Sequence, residues 1–375
     1  MSMRKYLIVL AWLLFSVSGF AAAAEGAEGA GWQKYVEFRD TIRPDTVPAV
    51  LAEQKKIAVK PWKASEKDKL ARDIALLFAR APGLFRLGAA QGPIPLYRIE
   101  GLGGSSFGGH GAMWFNDVFA ANTRNYLGVA SSLYTLTHEL THVADAEHKI
   151  VRSAAFRSLA EPRIAALKAA MHEAGLADLA SAMASKRHDI AYKLGMPSFY
   201  AAATIQEALA EYVAVSIHHP AFQPPSDMAD FLQSRVLDAV ATSDASVALY
   251  RSGKAARLKG NKEEALALLT TALDTDPEFT EALIERALVY MSQGQLEKSI
   301  EDLDAAIEHM SDYDWQAWLP RFKRGTVLGQ SGQFDRALED LAEARRLAPQ
   351  RADQFNRLIQ QFETFRTMMK GRGGG

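Results

Sequence analysis

Two histidines one helical turn apart enclose a glutamate in the segment His138-Glu139-Leu140-Thr141-His142. Residues i and i+4 of a helix lie on the same face, so both imidazoles can bind one metal ion. Glu139 lies one step further round the helix, where a carboxylate is close to such an ion and can accept a proton from water. The chain has no cysteine, so histidines and carboxylates are the expected metal ligands. The motif therefore predicts a zinc site with an adjacent general base.

The helix that carries this motif is expected to cover residues 131–146. Its apolar residues recur at i, i+3, i+7 and i+10 and form one stripe. The stripe consists of Leu133, Leu136, Leu140 and Val143. At about 100° per residue, the two histidines lie roughly 200° round the helix from Leu140. The imidazoles are therefore predicted to lie side by side and to face away from the core.

A catalytic zinc needs a third protein ligand and one open position, and the sequence contains two candidates for that ligand. His148 follows His142 by six residues, a spacing seen in metzincins, but Asp145 stands midway, where a glycine would let the chain turn back. The other candidate is Glu207, which shares a predicted helical face with Glu211 one turn later. Residue types and spacing alone leave both candidates open.

The order of these motifs resembles a known family. A His-Glu-x-x-His motif followed about 60 residues later by Glu207-x-x-Ala-Glu211 is similar to the gluzincin metallopeptidases, especially the catalytic domain of the anthrax lethal factor type. The resemblance covers roughly residues 110–220 and includes Val143-Ala144-Asp145. In that family the first glutamate of the later helix is the third zinc ligand, and a tyrosine seven residues earlier assists the transition state. Here these positions are Glu207 and Tyr200.

The resemblance implies a division of roles at one site. His138, His142 and Glu207 would hold Zn²⁺, Glu139 would act as general base, and Tyr200 would stabilise the oxyanion with the metal. Glu211 would either orient a zinc-bound histidine or lie at the surface. An α+β zincin-like catalytic domain is expected over residues 32–230.

Two short strands are predicted at 95–99 and 112–115, before the histidine motif. Residues 112–115 resemble the edge strand on which zincins bind extended substrate. The alternative is that Met113 and Trp114 belong to the core, as such residues more often do. The glycine-rich segment 101–111 lacks the Gly-Lys-Ser/Thr ending of a phosphate-binding loop, and we interpret it as a mobile connection.

The C-terminal part of the chain repeats itself. Gly260, Gly294 and Gly332 are 34 and then 38 residues apart, and each has small residues at the same offsets before and after it. This pattern resembles three tetratricopeptide (TPR) repeats over residues 245–350, followed by a capping helix at 351–370 and a flexible tail at 371–375. The expected fold of this part is an all-α TPR solenoid. Such an array would either brace the preceding domain or bind a protein segment.

The first 24 residues have the composition of a secretory signal peptide. Arg4 and Lys5 precede an apolar run, and an Ala-x-Ala sequence ends at Ala24. An uncleaved membrane anchor is the alternative, since the run approaches the ~20 residues that span a bilayer. We expect cleavage and a secreted or periplasmic protein with no stable membrane insertion. No cysteine is present to carry a lipid anchor.

The remaining composition narrows the function. The chain has 43 Lys and Arg residues against 44 Asp and Glu residues, so its overall charge gives no case for binding nucleic acid. The sequence therefore predicts a zinc-dependent metallopeptidase that acts on peptide or protein substrates, with a TPR array that recruits substrate or a partner. The alternative is a periplasmic TPR binding or scaffold protein with an inert or structural zinc domain.

Overall fold

The computed structural model describes residues 31–42, 58–100, 106–109, 111–116, 123–125, 130–219, 222–240 and 245–372. The predicted signal peptide lies outside these residues. The chain divides into two compact units. Of the described residues, those up to 150, 162–202 and 207–240 belong to the first, and 151–161, 203–206 and 245–372 belong to the second.

A mixed β-sheet forms part of the first unit. Its described strands are β1 (Val36–Arg39), β2 (Ala58–Lys60), β3 (Ile94–Glu100), β4 (Phe107–Gly109) and β5 (Ala112–Asn116). Their order is β1-β3-β5-β4, and β2 also pairs with β3. β3 is parallel to β1 and to β5, whereas β4 and β2 are antiparallel to their partners. The two strands predicted from the sequence are confirmed as β3 and β5.

Helices separate and follow these strands along the chain. Those up to residue 240 are α1 (Ala64–Arg80), α2 (Pro82–Gly88), α3 (Ser131–His148), α4 (Ala154–Glu173), α5 (Leu179–Ala184), α6 (His188–Lys193), α7 (Ile205–His218) and α8 (Ser226–Leu232). The first unit is therefore α+β, as predicted. The helix with the histidine motif begins at the predicted residue and extends two residues beyond the predicted end.

The core of the first unit holds α3 in place. Of the predicted apolar stripe, Leu136, Leu140 and Val143 are fully buried, whereas Leu133 is only partly buried. Gly88 of α2 lies against this stripe, because an added Cβ there would be 3.2 Å from a methyl group of Leu140. β5 is buried along its whole length. The helix that carries both histidines is thus fixed by apolar packing on the face opposite to them.

The second unit contains successive helical hairpins. Their helices are α9 (Ala245–Leu258), α10 (Lys262–Thr275), α11 (Thr280–Ser292), α12 (Leu296–His309), α13 (Trp318–Gln330), α14 (Phe334–Leu347) and α15 (Ala352–Arg372). Gly260, Gly294 and Gly332 have φ values of 86°, 72° and 80° in the turns between paired helices, which explains their recurrence. The repeated small residues are buried where the helices cross, as Ala265 and Ala337 show.

The capping helix is longer than predicted. α15 continues to Arg372, so the first two residues of the predicted flexible tail are helical, while 373–375 lie outside the described residues. None of the helices that the structure describes is long and apolar enough to cross a membrane.

Two equivalent ion pairs recur within the second and third hairpins. Arg286 contacts both carboxylate oxygens of Asp302, at 2.9 and 2.7 Å. Arg324 contacts Asp340 in the same way, at 2.8 and 2.7 Å. Both pairs join residues 16 positions apart, and both aspartates are buried. Since paired arginine–carboxylate contacts of this kind are directional, they fix how each helix pair packs.

We predict that Asp340→Ala lowers the free energy of unfolding by about 1–3 kcal/mol, because it removes a buried bidentate partner from Arg324. Thermal denaturation measures the loss. Glu339→Ala is the matched control, since Glu339 is exposed on the same helix and should change stability little. Equal melting temperatures for the two variants would show that the pair contributes nothing.

Candidate metal centre

Three side chains from two helices converge at one point in the first unit. α3 provides His138 and His142, and α7 provides Glu207. The Nε2 atoms of the two histidines are 3.1 Å apart. Glu207 Oε2 lies 3.0 Å from His138 Nε2 and 3.5 Å from His142 Nε2. Among the described residues, this is the one group of three potential metal ligands whose donor atoms approach so closely.

The spacing of these donor atoms fits a zinc ion. Zinc binds histidine nitrogen and carboxylate oxygen at about 2.1 Å in tetrahedral geometry, so neighbouring ligand atoms are about 3.4 Å apart. The three observed separations, 3.0 to 3.5 Å, are close to that value. Two imidazoles and one carboxylate also leave a fourth position for water or substrate, as catalytic zinc sites do. The donor set therefore suits a catalytic rather than a structural site.

His148 does not join this group. α3 remains helical through His148 and ends at Lys149, whose φ is 53°. The chain therefore does not turn back at Asp145, as a metzincin-like arrangement would require. His148 Nε2 instead lies 3.1 Å from the carbonyl oxygen of Leu87. The geometry favours Glu207 as the third ligand, and its role as a ligand stays a prediction.

Glu139 lies beside the histidines and is only 9% exposed. Burial raises the pKa of its carboxyl group, while the charges of His138 and His142 act to lower it. The backbone N–H of Gly108 also hydrogen-bonds to Glu139 and favours the charged form. A raised pKa suits a general base, because a stronger base takes a proton from water more readily.

β4 makes this contact possible because Gly108 has no side chain. A Cβ at residue 108 would lie 2.8 Å from the Cα of Glu139 and would overlap its carbonyl group. The strand can therefore approach the backbone of α3 only with glycine at this position. The mobile connection predicted over 101–111 is wrong for 107–109, which form a strand, and residues 101–105 and 110 lie outside the described residues.

For residues 112–115 the core alternative is confirmed, and the resemblance to an edge strand is wrong. β5 contains the predicted edge residues 112–115, but it pairs with β3 on one side and β4 on the other. β4 ends the described strand order and lies next to α3. β5 is recognisable in the sequence because its residues are apolar. β4 is hard to recognise because two of its three residues are glycines.

The charged groups at the site shift one another's pKa values. Burial acts to raise the pKa of Glu207, but hydrogen bonds from His138 and His142 outweigh it and hold that pKa well below its usual value. Burial acts to lower the pKa of His138, but hydrogen bonds to Glu207 and Glu211 raise it well above its usual value. A metal ion at Nε2 of His138 would therefore have to compete with a proton.

Tyr200 lies near His138, and its role in catalysis stays a prediction. It begins a short 3₁₀ turn, Tyr200–Ala202, just before α7. Its ring centroid is 6.1 Å from that of His138, and its hydroxyl hydrogen-bonds to Glu207. Burial, followed by the charge of Glu207, raises the pKa of Tyr200. Tyr200 is therefore a neutral phenol at physiological pH and can donate a hydrogen bond.

Glu211 is not a surface residue, so the surface alternative is wrong, and its role beside a zinc-bound histidine stays a prediction. It is only 2% exposed, and its Oε1 atom lies 3.2 Å from His138 Nδ1. The hydroxyl of Tyr134 donates to Oε1 at 2.5 Å, and that of Ser198 donates to Oε2 at 2.5 Å. A buried carboxylate in this position fixes the orientation of the imidazole ring.

The sequence reasoning did not single out Tyr134, Ser198 or Gly108. Tyr134 precedes His138 by four residues, so the helical period already placed the two on one face. Ser198 lies in a segment without periodicity, and nothing in the sequence marks its contact with Glu211.

Comparisons with known proteins concern the C-terminal part. Residues 256–318 match the tetratricopeptide repeat family. The TPR2B domain of yeast Sti1, solved in complex with an Hsp70 peptide, is 20% identical, with 32% of this chain and 98% of that one covered and a TM-score of 0.30. The Sgt2 TPR domain of Aspergillus fumigatus is 24% identical, with coverage of 36% and 89% and a TM-score of 0.30. The secretion chaperone SycD of Yersinia enterocolitica is 16% identical, with coverage of 41% and 98% and a TM-score of 0.29.

No curated protein is significantly similar in sequence to the chain. The family match and the observed hairpins together establish TPR repeats in the C-terminal part. The resemblance of the first unit to the gluzincins stays a prediction.

We predict that Glu207→Ala lowers zinc affinity by at least about 100-fold, because it removes one of three protein ligands. His148→Ala should bind zinc as the wild type does. Metal content after dialysis against a weak chelator, measured by atomic emission, distinguishes the two. Loss of zinc from His148→Ala with retention by Glu207→Ala would favour the metzincin-like arrangement instead.

Proposed function

We propose that the protein is a zinc metallopeptidase. The observation that carries the proposal is the convergence of His138, His142 and Glu207 with Glu139 buried beside them. A structural zinc site needs no adjacent base, whereas hydrolysis does. The raised pKa of Glu139 and the lowered pKa of Glu207 support a base and a ligand, respectively.

The residues divide the chemistry between them. When bound, zinc supplies a Lewis acid that polarises the scissile carbonyl and makes the water more acidic. Glu139 takes a proton from the water while the oxygen of that water forms a bond to the carbonyl carbon. Tyr200 donates a hydrogen bond to the oxyanion that develops. The C–N bond then breaks, and Glu139 delivers the proton to the leaving amine nitrogen.

Glu211 and β4 support these groups. Glu211 holds His138 through Nδ1, so that Nε2 points towards Glu207. β4 is the strand beside Glu139, and an extended peptide substrate is expected to pair its backbone with this strand. Bond cleavage would then take place within reach of the Glu139 carboxylate.

The TPR repeats suggest a second component of the function. Solenoids of this kind present extended surfaces for protein segments. In the proposed peptidase they would recruit substrate or a partner. The alternative, a TPR scaffold whose first unit is inert, draws support from the family match itself, which lies only in the repeats. A signal peptide at 1–24 and a secreted or periplasmic location remain predictions.

The base assignment can be tested with Glu139→Gln. This variant keeps the size of the side chain but cannot accept the proton, so peptide hydrolysis should fall by about 10²–10⁴-fold while zinc content is unchanged. Turnover of a mixed peptide library, followed by mass spectrometry, measures the loss. Glu173→Gln, an exposed position on α4, should leave activity intact. A zinc-loaded wild type that cleaves no peptide, like the variant, would favour the scaffold alternative.

Tyr200 has a separate test. Tyr200→Phe removes only the hydroxyl group, so kcat should fall by about 10–10³-fold, with KM and zinc content close to those of the wild type. Steady-state kinetics on one cleaved peptide measures both constants. A kcat equal to that of the wild type would remove Tyr200 from the mechanism.

A further inference from the structure

We propose that Ser198 is a positioning residue that couples the orientation of His138 to that of Tyr200. The inference rests on the proposed function, because it concerns two groups of that site. Neither the motif nor the gluzincin resemblance indicates this residue.

Ser198 uses both capacities of its hydroxyl group. It is only 2% exposed, and its Oγ donates to Glu211 Oε2 at 2.5 Å. The same Oγ accepts a hydrogen bond from the backbone N–H of Ala201 at 3.1 Å. A serine hydroxyl can donate one hydrogen bond and accept others at once, so the two contacts are compatible.

Each contact leads to a different part of the site. Glu211 reaches His138 Nδ1 through its other oxygen, at 3.2 Å. Ala201 is the middle residue of the 3₁₀ turn that begins with Tyr200. Ser198 therefore joins the carboxylate that orients a metal ligand to the turn that carries the oxyanion donor. Since all these groups are partly or fully buried, loss of one hydrogen bond is costly and is not replaced by water.

Tyr134 provides a matched control because it makes only half of this connection. Its hydroxyl donates to Glu211 at 2.5 Å, as that of Ser198 does. It lies on α3 and not in the segment next to the turn at Tyr200. Tyr134→Phe thus removes a donor from Glu211, whereas Ser198→Ala removes a donor from Glu211 and an acceptor from Ala201.

The experiment compares these two variants with the wild type in three measurements on the full-length protein. Competition with a chromogenic chelator gives zinc affinity, which should fall about 10–100-fold in both variants. Hydrogen–deuterium exchange of the peptide segment containing Ala201, measured with zinc present, should be faster in Ser198→Ala only. At saturating zinc, kcat should fall about 10-fold or more in Ser198→Ala and less in Tyr134→Phe, with KM little changed.

Ser198→Thr keeps the hydroxyl group and should restore slow exchange at Ala201. The proposal is overturned if Ser198→Ala exchanges at the wild-type rate, or if it matches Tyr134→Phe in both exchange and kcat. If Ser198→Ala fails to fold, Ser198→Thr decides the test. The proposal is then overturned if Ser198→Thr is folded, as shown by near-ultraviolet circular dichroism, yet exchanges quickly at Ala201. Absence of peptidase activity in the wild type would contradict the proposed function, and the zinc and exchange measurements would still decide this inference.

Discussion

One imidazole ring held between two carboxylates determines the geometry of the first unit's site. His138 faces Glu207 with Nε2 and Glu211 with Nδ1, at 3.0 and 3.2 Å. Because the two glutamates are one turn apart on α7, they meet the two nitrogens only when α3 and α7 pack in a single register. The positions of His142 and Glu139 on α3 then follow from the helical period. The arrangement of five groups thus depends on one interhelical contact.

This contact also sorts the carboxylates into different roles. Glu207 lies against both imidazoles, so its negative charge is stabilised, whereas Glu139 is buried and bears its charge less readily. Two chemically similar side chains therefore have pKa values that are shifted in opposite directions by their surroundings. A carboxylate that stays ionised suits binding to a metal, and one with a raised pKa suits proton transfer. Glu139 and Glu211 are buried and Glu207 is partly buried near His138 and His142, an electrostatic environment that would favour a bound cation.

Much of the fold and of the site could be predicted from the sequence wherever apolar residues or glycines recur at a regular spacing. The stripe from Leu136 to Val143 fixed the inward face of α3, and the recurring glycines located the TPR turns. The failures occurred where no period exists. β4 is three residues long and contains two glycines, so it has neither strand propensity nor alternation. The hydrogen bonds of Ser198 and the ion pair of Arg324 depend on tertiary contacts between residues that local pattern does not relate.

The glycine at the centre of β4 has a consequence for substrate choice. A position that tolerates no Cβ cannot offer a pocket wall, a charge or an aromatic surface to an incoming chain. Residue 108 has only main-chain groups, and its N–H already hydrogen-bonds to Glu139. Main-chain groups do not distinguish between the side chains of different peptides. In the proposed peptidase, sequence preference would therefore have to arise from residues other than Gly108.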